Sequence, residues 1–373
     1  MTRLLYLIGI FVILTAGSCK KPAPQQEEPE EQPAEVDLAL VKVEFPTLTA
    51  NGYQINIRGT VQSYKDGVVT SMEIKWQVDD GAEHAHTFSG LNLNKLDAYE
   101  FVHPDAVVAE TGQHTLKVWI SDVNGQGEDS RTLNNKKTIS FTVASHSVQR
   151  QVLYEEFTSS TCGPCANFNL NYFNTTFFDQ NAGKFNLIKY QMSWPGSGDP
   201  YYTAEGGARR QYYGVNAVPT LFIDGEEGTY FDTNELQKDL NSHYEVPGVV
   251  NLTGYYTIDN NNDIKVKVVA TPYISGPYKV HIAVVEKTTT QNARGNGESE
   301  FHHVMMKMVP DAQGTAVDMT DGTQFVVKKT ASLNNTHIEE YSDLEVVIFI
   351  QDEASKFILQ SAAAVEDASQ IDF

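Results

Sequence analysis

Cysteine is scarce in this chain, three in 373 residues, so a framework of several disulfides is excluded and the fold has to rest on its core. Only one Cys-x-x-Cys occurs, Cys162 to Cys165, and a zinc site of that type needs two further ligands that no second motif supplies. Positive charge is also short: 27 lysines and arginines stand against 48 aspartates and glutamates, a net charge of −21. Nucleic acid and anionic lipid surfaces are therefore excluded as electrostatic partners. The apolar run Leu4 to Thr15 falls short of the roughly 20 residues that cross a bilayer as a helix. No phosphate-binding glycine loop, Gly-x-Ser-x-Gly elbow or His-Glu-x-x-His helix is present, and neither a cofactor nor a metal is expected.

What is there is enough for a core. Hydrophobic residues make up 41% of the chain and aromatics 10%, an ordinary globular supply, and the length suits two to three domains. At the amino terminus Arg3, the run Leu4 to Thr15 and then Ala16-Gly17-Ser18-Cys19 have the pattern of a signal peptide, expected over residues 1–18. Its end resembles a bacterial lipobox, with Ala16 in place of the usual Leu. That resemblance implies that Cys19 is acylated and holds the exported protein to a lipid bilayer of the cell envelope, on one face of the outer membrane. A plain signal peptide with an incidental Cys19 is the alternative. Residues 19–35, rich in Pro and Glu and without apolar periodicity, read as an extended tether.

Residues 36–146 alternate apolar and polar positions, as in Gln54-Ile55-Asn56-Ile57-Arg58-Gly59-Thr60-Val61 and His114-Thr115-Leu116-Lys117-Val118-Trp119-Ile120. Turn signals such as Asp66-Gly67 and Asn124-Gly125 interrupt them, which predicts an antiparallel β-sandwich similar to immunoglobulin-like modules. His84 and His86 share one face of a strand there, and without a third ligand they read as solvent-exposed. The alternation returns over residues 246–373, a second expected sandwich. Its turn Asp259-Asn260-Asn261-Asn262-Asp263 lacks the bidentate Glu of a calcium loop and reads as a solvated hairpin.

Between them, residues 147–245 carry the chemistry. The apolar run Val152-Leu153-Tyr154-Glu155-Glu156-Phe157 breaks into small polar residues and reaches Cys162-Gly163-Pro164-Cys165, beyond which Phe168, Tyr172 and Phe173 fall at helical spacing. A cysteine in the first turn of a helix sits among unpaired N–H groups at the positive end of the macrodipole, which favours its thiolate. Cys162 is the expected attacking sulfur, and Cys165, one turn deeper, the resolving one.

These residues resemble the thioredoxin superfamily. The tetrapeptide is identical to the thioredoxin motif, and Glu156 falls where the family carries a buried carboxylate that shuttles a proton to the second cysteine. Lys189, in Leu187-Ile188-Lys189-Tyr190, falls where thioredoxin has a lysine near that carboxylate. Asn216-Ala217-Val218-Pro219-Thr220 resembles the segment whose cis-proline and preceding residue receive a peptide. The resemblance implies catalytic roles for Cys162, Cys165, Glu156 and Lys189. It implies a docking groove of Gly163, Pro164, Val218 and Pro219, and a Cys162–Cys165 disulfide in the oxidised form. Thr161 stands where thioredoxin has Trp, and an insertion from Met192 to Tyr213 is expected to rim the motif.

The later stretch Glu298-Ser299-Glu300-Phe301-His302-His303-Val304-Met305-Met306-Lys307-Met308-Val309-Pro310, with the lipoprotein signal, resembles the outer-membrane-protein-28-related family of Bacteroidota, surface lipoproteins first known from Porphyromonas. In it, His302 and His303 are expected on opposite strand faces and the methionines in the core. The fold class expected is thus multidomain: a thioredoxin-like α/β domain flanked by two all-β, immunoglobulin-like sandwiches. Two functions follow. One is a thiol–disulfide oxidoreductase acting on protein thiols or disulfides of the envelope. The other is a surface binding or adhesion lipoprotein whose motif is an inert staple.

Overall fold

A computed structural model describes residues 35–129, 131–228 and 231–373. Cys19, the signal peptide and most of the tether lie outside the described residues.

Eight strands come first: β1 (Leu38–Glu44), β2 (Leu48–Ala50), β3 (Ile55–Ser63), β4 (Val69–Val78), β5 (His84–Leu93), β6 (Ala98–Val107), β7 (Gly112–Val123) and β8 (Lys136–Ala144). They form two sheets, ordered β1-β3-β6 and β2-β8-β7-β4-β5. Period-two alternation decides which side chains meet between them: Ile57 and Val61 of β3 face Ile74 and Trp76 of β4 and Leu116 and Val118 of β7 in one core. His84 and His86 are half-buried. The His84 side chain, 40% exposed, stacks on Trp76 at 3.9 Å, and the His86 ring lies 6.0 Å from that of buried His103, so the expected exposure holds only in part.

The motif region follows as β9 (Val152–Thr158), α1 (Gly163–Asn171), α2 (Thr175–Gln180), β10 (Phe185–Gln191), α3 (Ala204–Tyr213), β11 (Thr220–Ile223), β12 (Glu226–Glu227) and α4 (Thr233–Glu245). The rest is β13 (Val250–Ile258), β14 (Asp263–Pro272), β15 (Gly276–Thr289), β16 (Phe301–Met308), β17 (Thr315–Met319), β18 (Phe325–Ser332), β19 (Leu344–Gln351), β20 (Ile358–Ala363) and β21 (Val365–Glu366), with two short 3₁₀ turns.

The expected thioredoxin-like α/β domain between two independent sandwiches is not what forms. Among the described residues twenty-one strands accompany four α-helices. The strands of the motif region close no sheet of their own, because β10 pairs in parallel with β16, Lys189 opposite Val304. One nine-stranded sheet therefore runs β12-β11-β9-β10-β16-β15-β19-β20, with β17 on β15. The physical reason is visible in β10 and β16. Lys189, Tyr190 and Gln191 are buried, as are Val304, Met305 and Met306, so each strand needs a neighbour on the edge that an isolated module would leave bare.

The two faces of this sheet meet different layers. Val152, Tyr154 and Leu187 pack with Phe168, Phe173, Phe177, Leu236 and Leu240 under α1, α2 and α4. On the opposite face, Leu153, Phe157 and Tyr190 join Tyr213 of α3 and, farther along, Ala283, Val285, Val347 and Phe349. The alternate residues of β15 and β19, Val280, Ile282, Val346 and Ile348, pack on Val266 and Val268 of the four-stranded sheet β18-β14-β13-β21. The sheet also curls back on itself. Fully buried Arg150, just before β9, pairs with Asp224 at 3.2 Å and donates to the Ile358 carbonyl of β20 at 2.7 Å.

Candidate functional site

The motif sits where β9 gives way to α1. Cys162 is the N-cap, in extended conformation, and Gly163 and Pro164 fill the first helical positions, where a missing N–H costs nothing. Cys162 and Cys165 are joined in a disulfide, and the Cys165 N–H donates to Cys162 Sγ at 3.1 Å. Cys165 is fully buried and Cys162 is 2% exposed, whereas Gly163 and Pro164 are exposed. The Val218 carbonyl oxygen lies 3.5 Å from Cys162 Sγ. A disulfide sulfur carries no hydrogen, so this is a contact and not a hydrogen bond. The Val218–Pro219 bond is cis. The Val218–Pro219 segment thus approaches the sulfur pair through the Val218 carbonyl, with Gly163 and Pro164 exposed between the two cysteines.

Glu156 and Lys189 lie beneath α1. They are directly opposite in the parallel register of β9 and β10, on the face that the helix covers, with the carboxylate and ammonium 2.8 Å apart. Glu156 is fully buried and Lys189 is 3% exposed. Lys189 also donates to Asn169 Oδ1 at 2.8 Å. Asn169 is four residues after Cys165, hence one turn along the same face of α1. The structure thus sets the Val218 carbonyl against Cys162 and ties Lys189, and through it Glu156, to the helix that carries Cys165.

Four further residues went unnoticed as part of this site. Asn169 Nδ2 donates to Glu298 Oε1 at 2.9 Å, and Asn296 Nδ2 reaches Glu298 Oε2 at 2.7 Å, the Cys162 carbonyl at 3.2 Å and the Ser159 carbonyl at 3.3 Å. A loop more than a hundred residues downstream thus grips the backbone of the motif. Burial pushes the Glu298 carboxyl above its usual range, against the pull of Asn296 and Lys189. Buried Asp199 accepts from the Ser160 N–H at 2.9 Å and fixes the turn before Cys162. Thr161, where a Trp would stand in the resembled motif, donates to the Pro195 carbonyl at 2.7 Å, so the inserted segment does border the site. Asn169 had a signal, its four-residue spacing from Cys165, and Asp199 lay in the inserted segment expected to rim the motif; Asn296 and Glu298 had none, because only the tertiary fold brings them in.

A cavity of about 360 Å³ opens beside this cluster, lined by Thr158, Asn169, Lys189, Gln191, Glu298 and His302 among others. His302 is held below its usual range by burial and by Lys189, while His303 pairs with Glu345 at 2.6 Å. Among the described residues no group of three or more His, Cys, Asp or Glu is placed to hold a metal ion.

No protein-family model matches the chain, and no curated protein matches it. Solved structures do. The chain is similar to a domain of the outer membrane lipoprotein Omp28 from Porphyromonas gingivalis at 12% identity, covering 32% of this chain and 92% of that one, with a TM-score of 0.24. It is similar to a cell-surface protein domain from Methanosarcina acetivorans at 18% identity, covering 30% and 95%, with a TM-score of 0.25. A DUF4785 family protein from Legionella pneumophila matches 89% of this chain and 57% of its own at 8% identity, with a TM-score of 0.29. Likenesses at these scores carry no argument about fold or activity, which rest here on the chain itself.

Proposed function

We propose that Cys162 and Cys165 are the exchange centre of a thiol–disulfide oxidoreductase, exported and held to the cell envelope through acylated Cys19. The observation that carries the reading is the fully buried Glu156–Lys189 pair under the helix that bears both cysteines. Burying two charges is expensive, and a purely structural helix packing has no need of them at that place.

From the oxidised form, the thiolate of a dithiol attacks Cys162 Sγ. A new S–S bond forms as the Cys162–Cys165 bond breaks, and Cys165 leaves as a thiolate that takes up a proton. The dithiol's second sulfur, as thiolate, then attacks the mixed disulfide and releases Cys162 as thiolate. Two electrons pass from the dithiol, now a disulfide, to the pair. The reverse sequence reduces a partner disulfide. The positive end of α1 favours the Cys162 thiolate in both directions.

One observation favours the second reading, a binding lipoprotein with an inert staple: Cys162 is 2% exposed, so an attacker needs the rim to open. Equilibration of the purified mature chain with glutathione or dithiothreitol buffers, counting free thiols by mass, separates the two. A couple between about −120 and −270 mV is expected for exchange chemistry, whereas a bond still closed below about −300 mV makes it a staple. Cys165→Ser is expected to accumulate a mixed disulfide at Cys162 with an envelope protein. Cells that yield no such adduct speak for the staple.

A further inference from the structure

We infer that Asn296 is a positioning residue for the exchange reaction: it clamps the turn that carries Cys162 and so raises the effective concentration of the two sulfurs toward each other. This rests on the exchange reading above. Cys162 is the last residue of a four-residue turn, closed by its own N–H on the Ser159 carbonyl at 3.0 Å. Asn296 Nδ2 reaches both ends of that turn, the Ser159 carbonyl at 3.3 Å and the Cys162 carbonyl at 3.2 Å. The two residues between are held as well, the Ser160 N–H by Asp199 and the Thr161 hydroxyl by the Pro195 carbonyl. Every residue of the turn is thus tied to chain outside the motif.

Only one orientation of the Asn296 amide fits. Its Oδ1 accepts from the Glu298 N–H at 2.9 Å, while Nδ2 faces three acceptors, the two carbonyls and Glu298 Oε2 at 2.7 Å. A flipped amide would set its oxygen against all three. Glu298 Oε1 in turn accepts from Asn169, so one loop holds both the turn and the helix that bears Cys165. Gly295 and Gly297, at φ of 84° and 115°, flank Asn296 in conformations that glycine adopts freely, which lets the chain bend sharply on either side of the amide.

The consequence for the chemistry follows from what each redox form leaves free. In the disulfide, the S–S bond itself fixes Cys162 against Cys165, which lies fully buried in α1. In the dithiol that bond is gone, and the turn keeps the Cys162 sulfur close only through its clamps. A turn held in this way gains less freedom on reduction, so the equilibrium favours the closed disulfide. In the resolving step the Cys165 thiolate attacks Cys162 Sγ of a mixed disulfide. The new S–S bond forms, the partner's sulfur leaves as a thiolate, and the passage of two electrons to the partner is complete. Asn296 touches none of these atoms and acts by where it holds them.

The test equilibrates purified mature wild type and Asn296→Ala with glutathione or dithiothreitol buffers and counts free thiols by mass. Loss of the clamp is expected to shift the equilibrium toward the dithiol about three- to tenfold, the worth of one neutral hydrogen bond, and so to raise the potential by about 15–30 mV. An amide that only stabilises the fold would lower the melting temperature of both redox forms alike and leave the potential where it was. A shift smaller than about twofold, or toward the disulfide, overturns the inference and leaves the exchange reading standing. A wild-type bond that these buffers do not open at all overturns both.

Linkage supplies a measurement on the unmodified protein, which covers the case in which Asn296→Ala fails to fold. A clamp that favours the disulfide is favoured by the disulfide to the same degree. Hydrogen exchange of the Glu298 N–H, bonded to Asn296 Oδ1, is therefore expected to quicken about three- to tenfold on reduction. Equal protection of residues 290–298 in the two redox forms, with reduction complete, overturns the inference.

Discussion

Replacing Lys189 by Met isolates the energetics of the buried pair. The substitution keeps the length of the side chain and removes the ammonium 2.8 Å from Glu156. Glu156 is fully buried and, among the described residues, has no other hydrogen-bond donor, so its charge would stand alone. Breaking a buried pair in this way costs about 3–5 kcal/mol. The alternative is for the acid to enter the fold protonated. For a glutamate that titrates near 4.3 in water, that costs about 3.7 kcal/mol at pH 7, at about 1.36 kcal/mol per pH unit, and only about 1 kcal/mol at pH 5. The smaller cost governs, so Lys189→Met is expected to lose about 3–4 kcal/mol at pH 7 and about 1 kcal/mol at pH 5. The sign follows from linkage: the variant's folded state holds a proton that its unfolded state releases, so stability falls as pH rises. Hydrogen exchange followed by mass spectrometry on peptides covering Val152–Thr158 and Phe185–Gln191 reads the opening free energy of these strands directly. Adding Glu156→Gln should recover most of the loss and abolish its pH dependence. A loss below about 1 kcal/mol at pH 7, or one equal at both pH values, would refute the argument that an uncompensated charge is at stake.

Two further outcomes follow from geometry elsewhere. Asp224-Gly225 forms the two-residue loop between β11 and β12, with φ of 47° and 89°, and a Cβ on Gly225 would overlap the Lys356 carbonyl; Gly225→Ala is expected to cost about 2 kcal/mol or more. A melting temperature within about 1 °C of wild type would contradict it. In the amino-terminal sheets, a hydrogen bond to Asp79 at 2.8 Å raises the His114 imidazole above its usual range. Its contribution is full below the unfolded pKa and is lost as pH rises through the folded one, so Asp79→Asn is expected to remove a decline in stability above about pH 6.5; denaturation midpoints whose pH trend is unchanged would sink the assignment.

The position of most strands was legible because alternation is a local property. In β14, Ile264, Val266, Val268 and Ala270 are buried and Lys265 and Lys267 are not, as period two demands. The placing of Cys162 at a helix N-terminus was legible for the same reason. The thioredoxin-like domain was a misreading with a specific cause. The motif residues Cys162, Glu156, Lys189 and Pro219 are all local to the strands and turns that carry them, and they say nothing about what lies beside β10. That edge is decided by Val304 of β16, more than a hundred residues away, and its burial on both faces looks in sequence like any apolar run. The same ignorance hid Asn296 and Glu298. Once β16 is docked on β10, the loop leading into it is delivered to the motif, so the partner strand and the second carboxylate arrive together. The grip of Asn296 on the Cys162 carbonyl and of Glu298 on Asn169 is thus a consequence of the sheet continuing past β10: a self-contained module ending there would have Glu156 and Lys189 but no loop to hold the motif from outside.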